Sequence, residues 1–202
     1  MAFIETVSEE EASDAVAQLY EANRSGHGYV ANYVKVFSHR PGVHRAWEQL
    51  IEAIRQAMDA RAYELATLAA ARRLRSSYCA LAHGKVLAEG FLAPETIRDV
   101  VVHGRSDDLD AADIALIEMA DKVADDAASI SQSDIDRLRR LGFSDADVFD
   151  VVATAAARCF FSKTLDALGA QPDAAFSELE PELREALTVG RAIAAGPAPG
   201  PA

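Results

Sequence analysis

The sequence predicts an all-α bundle, and three observations carry that expectation. About one residue in five is alanine, and leucine, glutamate and arginine fill much of the rest, all strong helix formers. No stretch joins β-branched alternation to a hairpin turn. Helix start and stop signals recur along the chain at spacings of one helix length.

Taken in order, helices are expected near 9–22, 43–58, 60–74, 77–89, 94–102, 110–125, 132–140, 145–168 and 179–189. Ser8 precedes the glutamate-rich opening of the first. Ser76 or Ser77 caps the fourth, and Pro94 suits the first position of the fifth. Ser131 or Ser133 starts the seventh, with Asp134 and Asp136 in its first turn, and Ser144 precedes Asp145 and Asp147 in the eighth. Gly90, Gly142 after Arg139-Arg140, and Gly169 are stops. Residues 23–42, with Asn23, Gly26, Gly28, Asn32, Pro41 and Gly42, read as an irregular segment suited to covering a pocket.

The 202 residues are half apolar and about a quarter charged, which suits one globular domain with a sizeable core. The expected organisation is a helical domain over 1–190, with a core at 43–104, a second helical half at 108–170, and a flexible Pro/Gly/Ala tail over 191–202. The net charge of −12 argues against nucleic acid and anionic membranes as partners, because neutralising phosphates needs Lys/Arg patches. No basic segment precedes an apolar run at the N-terminus and no run is long enough to span a membrane, so a cytoplasmic location is expected. Two cysteines, Cys79 and Cys159, are too few for a disulfide scaffold or a multi-cysteine zinc fold.

Residues 63–72 can be laid over 149–158 at a constant offset of 86, which pairs Glu64 with Asp150, Arg72 with Arg158 and Ser76 with Ser162. Alanine-rich helices align easily, so composition explains part of this; if the repeat is real, two helical hairpins pack pseudo-symmetrically. The second copy has Leu165 and Gly169 where the first has Cys79 and His83, so chemistry falls to the first.

The chemistry-bearing stretch is Glu64, eleven residues, then Ser76-Ser77-Tyr78-Cys79-Ala80-Leu81-Ala82-His83. At about 100° per residue, Cys79 and His83 share one helix face a turn apart. A cap at Ser76 or Ser77 puts Cys79 in the first turn, where unpaired N–H groups and the helix dipole favour a thiolate and a neighbouring imidazole can take its proton. Glu64, on the preceding helix, can orient that imidazole if the two helices pack antiparallel. The competing reading is that Cys79 is a small buried hydrophobe, as cysteines in alanine-rich helices commonly are.

The same stretch resembles the core motif of the alkylhydroperoxidase D / carboxymuconolactone decarboxylase superfamily: Glu, eleven residues, Cys, two, Cys, three, His. Glu64, Ser76, Cys79 and His83 occupy those positions without a gap, Ser76 replacing the first cysteine. The form Ser-x-Tyr-Cys-x-x-x-His resembles the peroxidase-related subgroup, and similarity extends through 41–47, 138–145 and 160–173. The resemblance implies an alkylhydroperoxidase D-like bundle and a thiol-dependent peroxidase acting on H₂O₂ or small organic hydroperoxides. Cys79 is then the reactive thiol, His83 its proton acceptor and Glu64 the relay carboxylate. Ser76 can hydrogen-bond but cannot close a disulfide, so an external thiol, a cysteine of another subunit or Cys159 must resolve the oxidised sulfur. Homo-oligomerisation is implied as well. The alternatives are a decarboxylase-like enzyme without redox turnover and a non-enzymatic redox-sensing or binding protein.

Elsewhere the signals are weaker. Cys159, among apolar neighbours, reads as packing. Trp47, Tyr78, Phe160 and Phe161 read as core residues able to wall an apolar pocket. Arg72, Arg73 and Arg75 form a basic cluster suited to a subunit interface or a solvated face. His27, His39, His44 and His103 show no paired i,i+4 spacing, and no metal or cofactor is expected.

Overall fold

A computed structural model describes residues 2–196 and has ten α-helices among them: α1 Asp14–His27, α2 Asn32–Phe37, α3 Pro41–Ala57, α4 Ala60–Arg73, α5 Ser77–Gly90, α6 Pro94–His103, α7 Ala111–Asp126, α8 Gln132–Arg140, α9 Asp145–Ala167 and α10 Pro181–Leu187. Short 3₁₀ turns at Ala127–Ser129 and Ala174–Glu178 complete the regular structure, and the described residues contain no strand. The caps are those the side chains dictate. Asp59 accepts from the Ala62 amide at 3.0 Å, and Asp110 accepts from the Ala112 and Asp113 amides. Ser144 and Asp147 bond reciprocally at the start of α9.

Two elements differ from expectation. The first helix starts at Asp14, because Ser8 and Glu11 bond to one another in a turn of their own. The segment 23–42 is not irregular throughout: α1 runs on to His27 and α2 adds six residues whose Val34, Val36 and Phe37 are buried. A helix that short owes its stability to tertiary burial, which leaves little periodicity to read. The segment does line a cavity of about 320 Å³ between α1 and α3, with Asn23, His27, Tyr33 and His44 in its walls.

Helix α4 is the centre of the bundle and packs on α5, α7 and α9. Every residue from Tyr63 to Ala71 is buried. Four of these nine are alanine, and small side chains let neighbouring backbones approach from several sides. The ends of α4 are tied to α7 by arginines. Arg61 makes two hydrogen bonds to Asp113, at 2.7 and 2.6 Å, while Arg72 pairs with Asp121 and Arg73 with Asp125. Of the basic cluster expected at an interface or a solvated face, Arg72 and Arg73 are thus answered by acidic residues of α7, Arg75 reaches the Val189 carbonyl, and Arg73 and Arg75 stay exposed as a solvated face.

The offset-86 repeat does not produce two hairpins. The first copy breaks between α4 and α5, where Arg75 adopts φ +55° and the Ser76 amide reaches back to the Ala71 carbonyl. The matching residues Phe160, Phe161 and Ser162 stay helical inside α9.

After α10 the chain returns across the start of α5. The Gly190 amide donates to Ser77 Oγ at 2.7 Å, and a Cβ on Gly190 would lie 2.0 Å from the Arg75 carbonyl oxygen. The tail expected over 191–202 is tied down at its beginning: Arg191 donates to the Asp166 carbonyl and the Ala194 amide to the Pro172 carbonyl. Its remainder, 197–202, lies outside the described residues. No described helix is long and apolar enough to cross a membrane.

Gly190→Ala forces backbone against backbone and is expected to destabilise the fold by about 1–3 kcal/mol in chemical denaturation. Gly26→Ala, in α1 with nothing within 4 Å of the added Cβ, is expected to be neutral or to stabilise by about 0.5–1 kcal/mol. Equal effects at the two positions would refute the close approach.

Candidate functional site

The site forms where the first turn of α5 meets α4 and α9. Ser76 is the residue before α5, so Ser77, Tyr78 and Cys79 are its first three residues and His83 lies one turn further on. Tyr78 anchors this turn from outside. Its hydroxyl donates to the Asp173 carboxylate and accepts from the Tyr33 amide at 3.3 Å, joining α5 to α2 and to the segment after α9.

Glu64, 5 % exposed on α4, meets His83 with Oε2 at 2.5 Å from Nδ1. An ionised carboxylate only accepts, so Nδ1 carries the proton and Nε2 presents its lone pair. Among the described residues nothing bonds to Nε2, and the His83 side chain keeps 17 % of its surface exposed. Burial pushes the imidazole below its ordinary value and the Arg158 charge adds to this, against the opposing pull of Glu64. His83 is therefore held neutral near pH 7, oriented by Glu64 and open at its second nitrogen.

Cys79 is 2 % exposed. Its sulfur accepts from Ser162 Oγ at 3.2 Å and lies 3.8 Å from Arg158 Nη1, both on α9. The second guanidinium nitrogen of Arg158 donates to the Tyr63 hydroxyl at 3.2 Å. The guanidinium lies over the rings of Trp47 and Phe161 at 5.4 and 5.6 Å. Tyr63 in turn sets its ring against the edge of His83, the centroids 6.1 Å apart. Cys79 and His83 do not hydrogen-bond; contacts run from the sulfur to Arg158, from Arg158 to Tyr63, and from Tyr63 to His83.

Of the four residues singled out by spacing, the structure joins Glu64 to His83 directly and places Cys79 close by. The Ser76 hydroxyl is fully buried; among the described residues it makes no hydrogen bond of ordinary geometry to Cys79, and the carboxylate it acts on is that of Asp166. Cys159 is half-buried against the core, without a disulfide, and burial pushes its thiol up. Trp47 and Phe161 do form a wall, stacked at 4.8 Å, with Phe160 on the outer side of Trp47 at 5.8 Å. Among the described residues no three His, Cys, Asp or Glu side chains are grouped to hold a metal ion.

Arg158 and Ser162 are absent from the motif because they arrive from a helix some 80 positions away. A signal for them exists: Val151, Ala155, Arg158, Ser162 and Leu165 recur at helical spacing on one face of α9, and all five are buried. An arginine on an otherwise small or apolar face marks a charge brought inside.

No protein-family model and no curated protein matches the sequence. Solved structures do. An uncharacterized peroxidase-related protein from Ralstonia eutropha JMP134, described as an alkylhydroperoxidase AhpD core, superposes with a TM-score of 0.76 at 21 % identity over 94 % of this chain and 98 % of its own. A peroxidase-related protein from Silicibacter sp. TM1040 gives 0.72 at 19 % over 87 % and 91 %. The debrominase Bmp8 gives 0.71 at 14 % over 90 % and 96 %, and it is also known as a cysteine-to-alanine variant in complex with 2,3,4-tribromopyrrole. At these identities the likeness establishes the fold, which is alkylhydroperoxidase D-like.

Glu64→Gln removes the carboxylate that supports the charged imidazole, so the His83 titration midpoint is expected to fall further, by about one unit or more. Imidazole NMR signals followed against pH read this directly. A rise would show that Glu64 does not act on His83 as the 2.5 Å contact indicates.

Proposed function

For this chain of alkylhydroperoxidase D-like fold, we propose a thiol-dependent peroxidase that works through Cys79. The observation that carries the reading is the Glu64–His83 contact at 2.5 Å, which leaves Nε2 of His83 open one helical turn from a first-turn cysteine whose sulfur accepts hydrogen bonds. The Cys79 sulfur attacks the peroxide, the O–O bond breaks, and the sulfur is oxidised to the sulfenic acid as ROOH becomes ROH. The departing oxygen needs one proton, and the open Nε2 of His83, oriented by Glu64, relays it. One external thiol then condenses with the sulfenic acid to a mixed disulfide and water. A second external thiol releases Cys79 as the thiol and leaves with the first as a disulfide.

An external reductant follows from the side chains. Ser76 cannot form a disulfide, and burial pushes the Cys159 thiol up, which disfavours it as the attacking thiolate. The aromatic wall and the burial of Cys79 favour H₂O₂ over bulky hydroperoxides.

A second reading rests on that wall and on the debrominase of the same fold. The Cys79 sulfur would take bromine from a halogenated aromatic, giving the hydrogen-substituted ring and a sulfenyl bromide, which an external thiol converts to a mixed disulfide and HBr. Bromide release separates this reading from peroxide reduction.

The homo-oligomer belongs to the proposal as well. Helix α9 presents Phe149, Ala153, Ala156, Phe160 and Lys163 on one outward face, with both phenylalanines exposed. An antiparallel second copy of α9 would set Phe149 against Phe160 and bring Lys163 to the acidic end that carries Asp147 and Asp150, burying a patch of the kind that marks interaction surfaces.

Peroxide consumption with dithiothreitol is expected to fall at least a hundredfold in Cys79→Ser and to persist in Cys159→Ser, with H₂O₂ reduced faster than cumene hydroperoxide. Activity surviving Cys79→Ser would favour a decarboxylase-like enzyme. A single stoichiometric oxidation without turnover would favour a redox sensor. In solution the chain is expected at twice its monomer mass or more, and Phe149→Glu is expected to return it to the monomer with its helicity unchanged.

A further inference from the structure

We infer that Arg158 is the counter-ion that holds Cys79 as a thiolate, a positioning residue supplied by α9 rather than by the motif. This deepens the peroxidase reading, but it concerns the resting thiol and can be tested without any peroxide.

The argument starts from the cost of burying a guanidinium. Arg158 is 4 % exposed and cannot lose its charge. A buried cation without an anionic partner costs several kcal/mol, so buried arginines are found paired. Arg61, Arg72 and Arg73 each meet an aspartate. Among the described residues Arg158 meets no carboxylate within ion-pair distance. Its Nε has no partner, Nη2 donates to a phenol, and Nη1 points at the Cys79 sulfur at 3.8 Å. The Trp47 and Phe161 faces offset part of the charge, but aromatic faces supply no net negative charge.

The groups around the sulfur support the assignment. From α4, Tyr63 receives the other nitrogen of Arg158, and the Glu64 carboxylate is taken up by His83. From α3, Arg55 lies over the Tyr63 ring at 5.4 Å, but it is exposed and solvated. From α5 comes His83, and from α9 Ser162, whose hydroxyl donates to the sulfur at 3.2 Å. Cys79 is the acidic group that Arg158 touches and no other cation claims. A thiolate there accepts from Ser162 and Arg158 together and completes the charge balance of the pocket. The thiol proton has then left to solvent before peroxide arrives, and the departing oxygen takes a proton from solvent, which the open Nε2 of His83 can relay.

The test is the absorbance of the thiolate near 240 nm, taken as the difference between Cys159→Ser and Cys79→Ser/Cys159→Ser proteins from pH 4 to pH 10. The wild-type Cys79 signal is expected to be present at pH 7, with its midpoint at least one unit below the roughly 8.5 of free cysteine. Arg158→Met is expected to raise the midpoint by about one to three units, and Arg158→Lys to restore part of the difference. A Cys79 midpoint at or above that of free cysteine overturns the inference whether or not any Arg158 variant folds. So does a midpoint that Arg158→Met, folded by circular dichroism, leaves unmoved. If the midpoint shifts as expected while peroxide is not consumed, the counter-ion stands and the peroxidase reading fails.

Discussion

The site depends on a helix with no free face. α4 is buried from Tyr63 to Ala71, and what surrounds it is decided by how little room its alanines occupy. Because α5 and α9 both close on the same helix, a carboxylate from α4, an imidazole and a thiol from α5, and a guanidinium from α9 converge in one small volume. Larger residues at those alanines would hold the helices apart, and the polar groups would lose one another before the core lost its stability. The arginine–aspartate pairs at the two ends of α4 are partly exposed, so each contributes modestly. Their effect is to set α4 in register against α7.

Around the sulfur, charge runs against the character of the whole chain. The protein carries −12 overall, yet the charged group beside the Cys79 sulfur is the buried Arg158, and the nearby Glu64 carboxylate is bonded to an imidazole. Inside a low-dielectric core, a few neighbours outweigh the distant surface charge, which water and salt screen. The same neighbours explain the depressed His83: burial and Arg158 act against its protonation, and Glu64 opposes them while fixing which nitrogen stays open. The neutral, oriented imidazole and the cation beside the thiol are two results of one arrangement.

The fold is shared with peroxidase-related proteins and with a debrominase, so the bundle alone does not select a reaction. In this chain the residue just before the cysteine-bearing helix is Ser76, and that serine is sealed in the core. The sulfur at residue 79 faces a hydroxyl and a guanidinium from α9, and its own helix holds no second cysteine.

By itself the sequence determined what is local. Alanine content, caps and stops specify most of the helices. The Glu64, Cys79 and His83 spacing marks the two helices that bear the chemistry, because a helix converts sequence distance into position on a face. It said little about α2, a six-residue helix that stands by burial rather than propensity. It could not name the partners of Arg72 and Arg73, since Asp121 and Asp125 lie some 50 positions on. Arg158 and Ser162 were written on the buried face of α9, but their meaning waited on which helix that face would meet. Only the tertiary structure decided that the meeting point is the sulfur of Cys79. The reason is physical: a buried charge is defined by its partner, and no local pattern names a partner that the chain reaches only by folding.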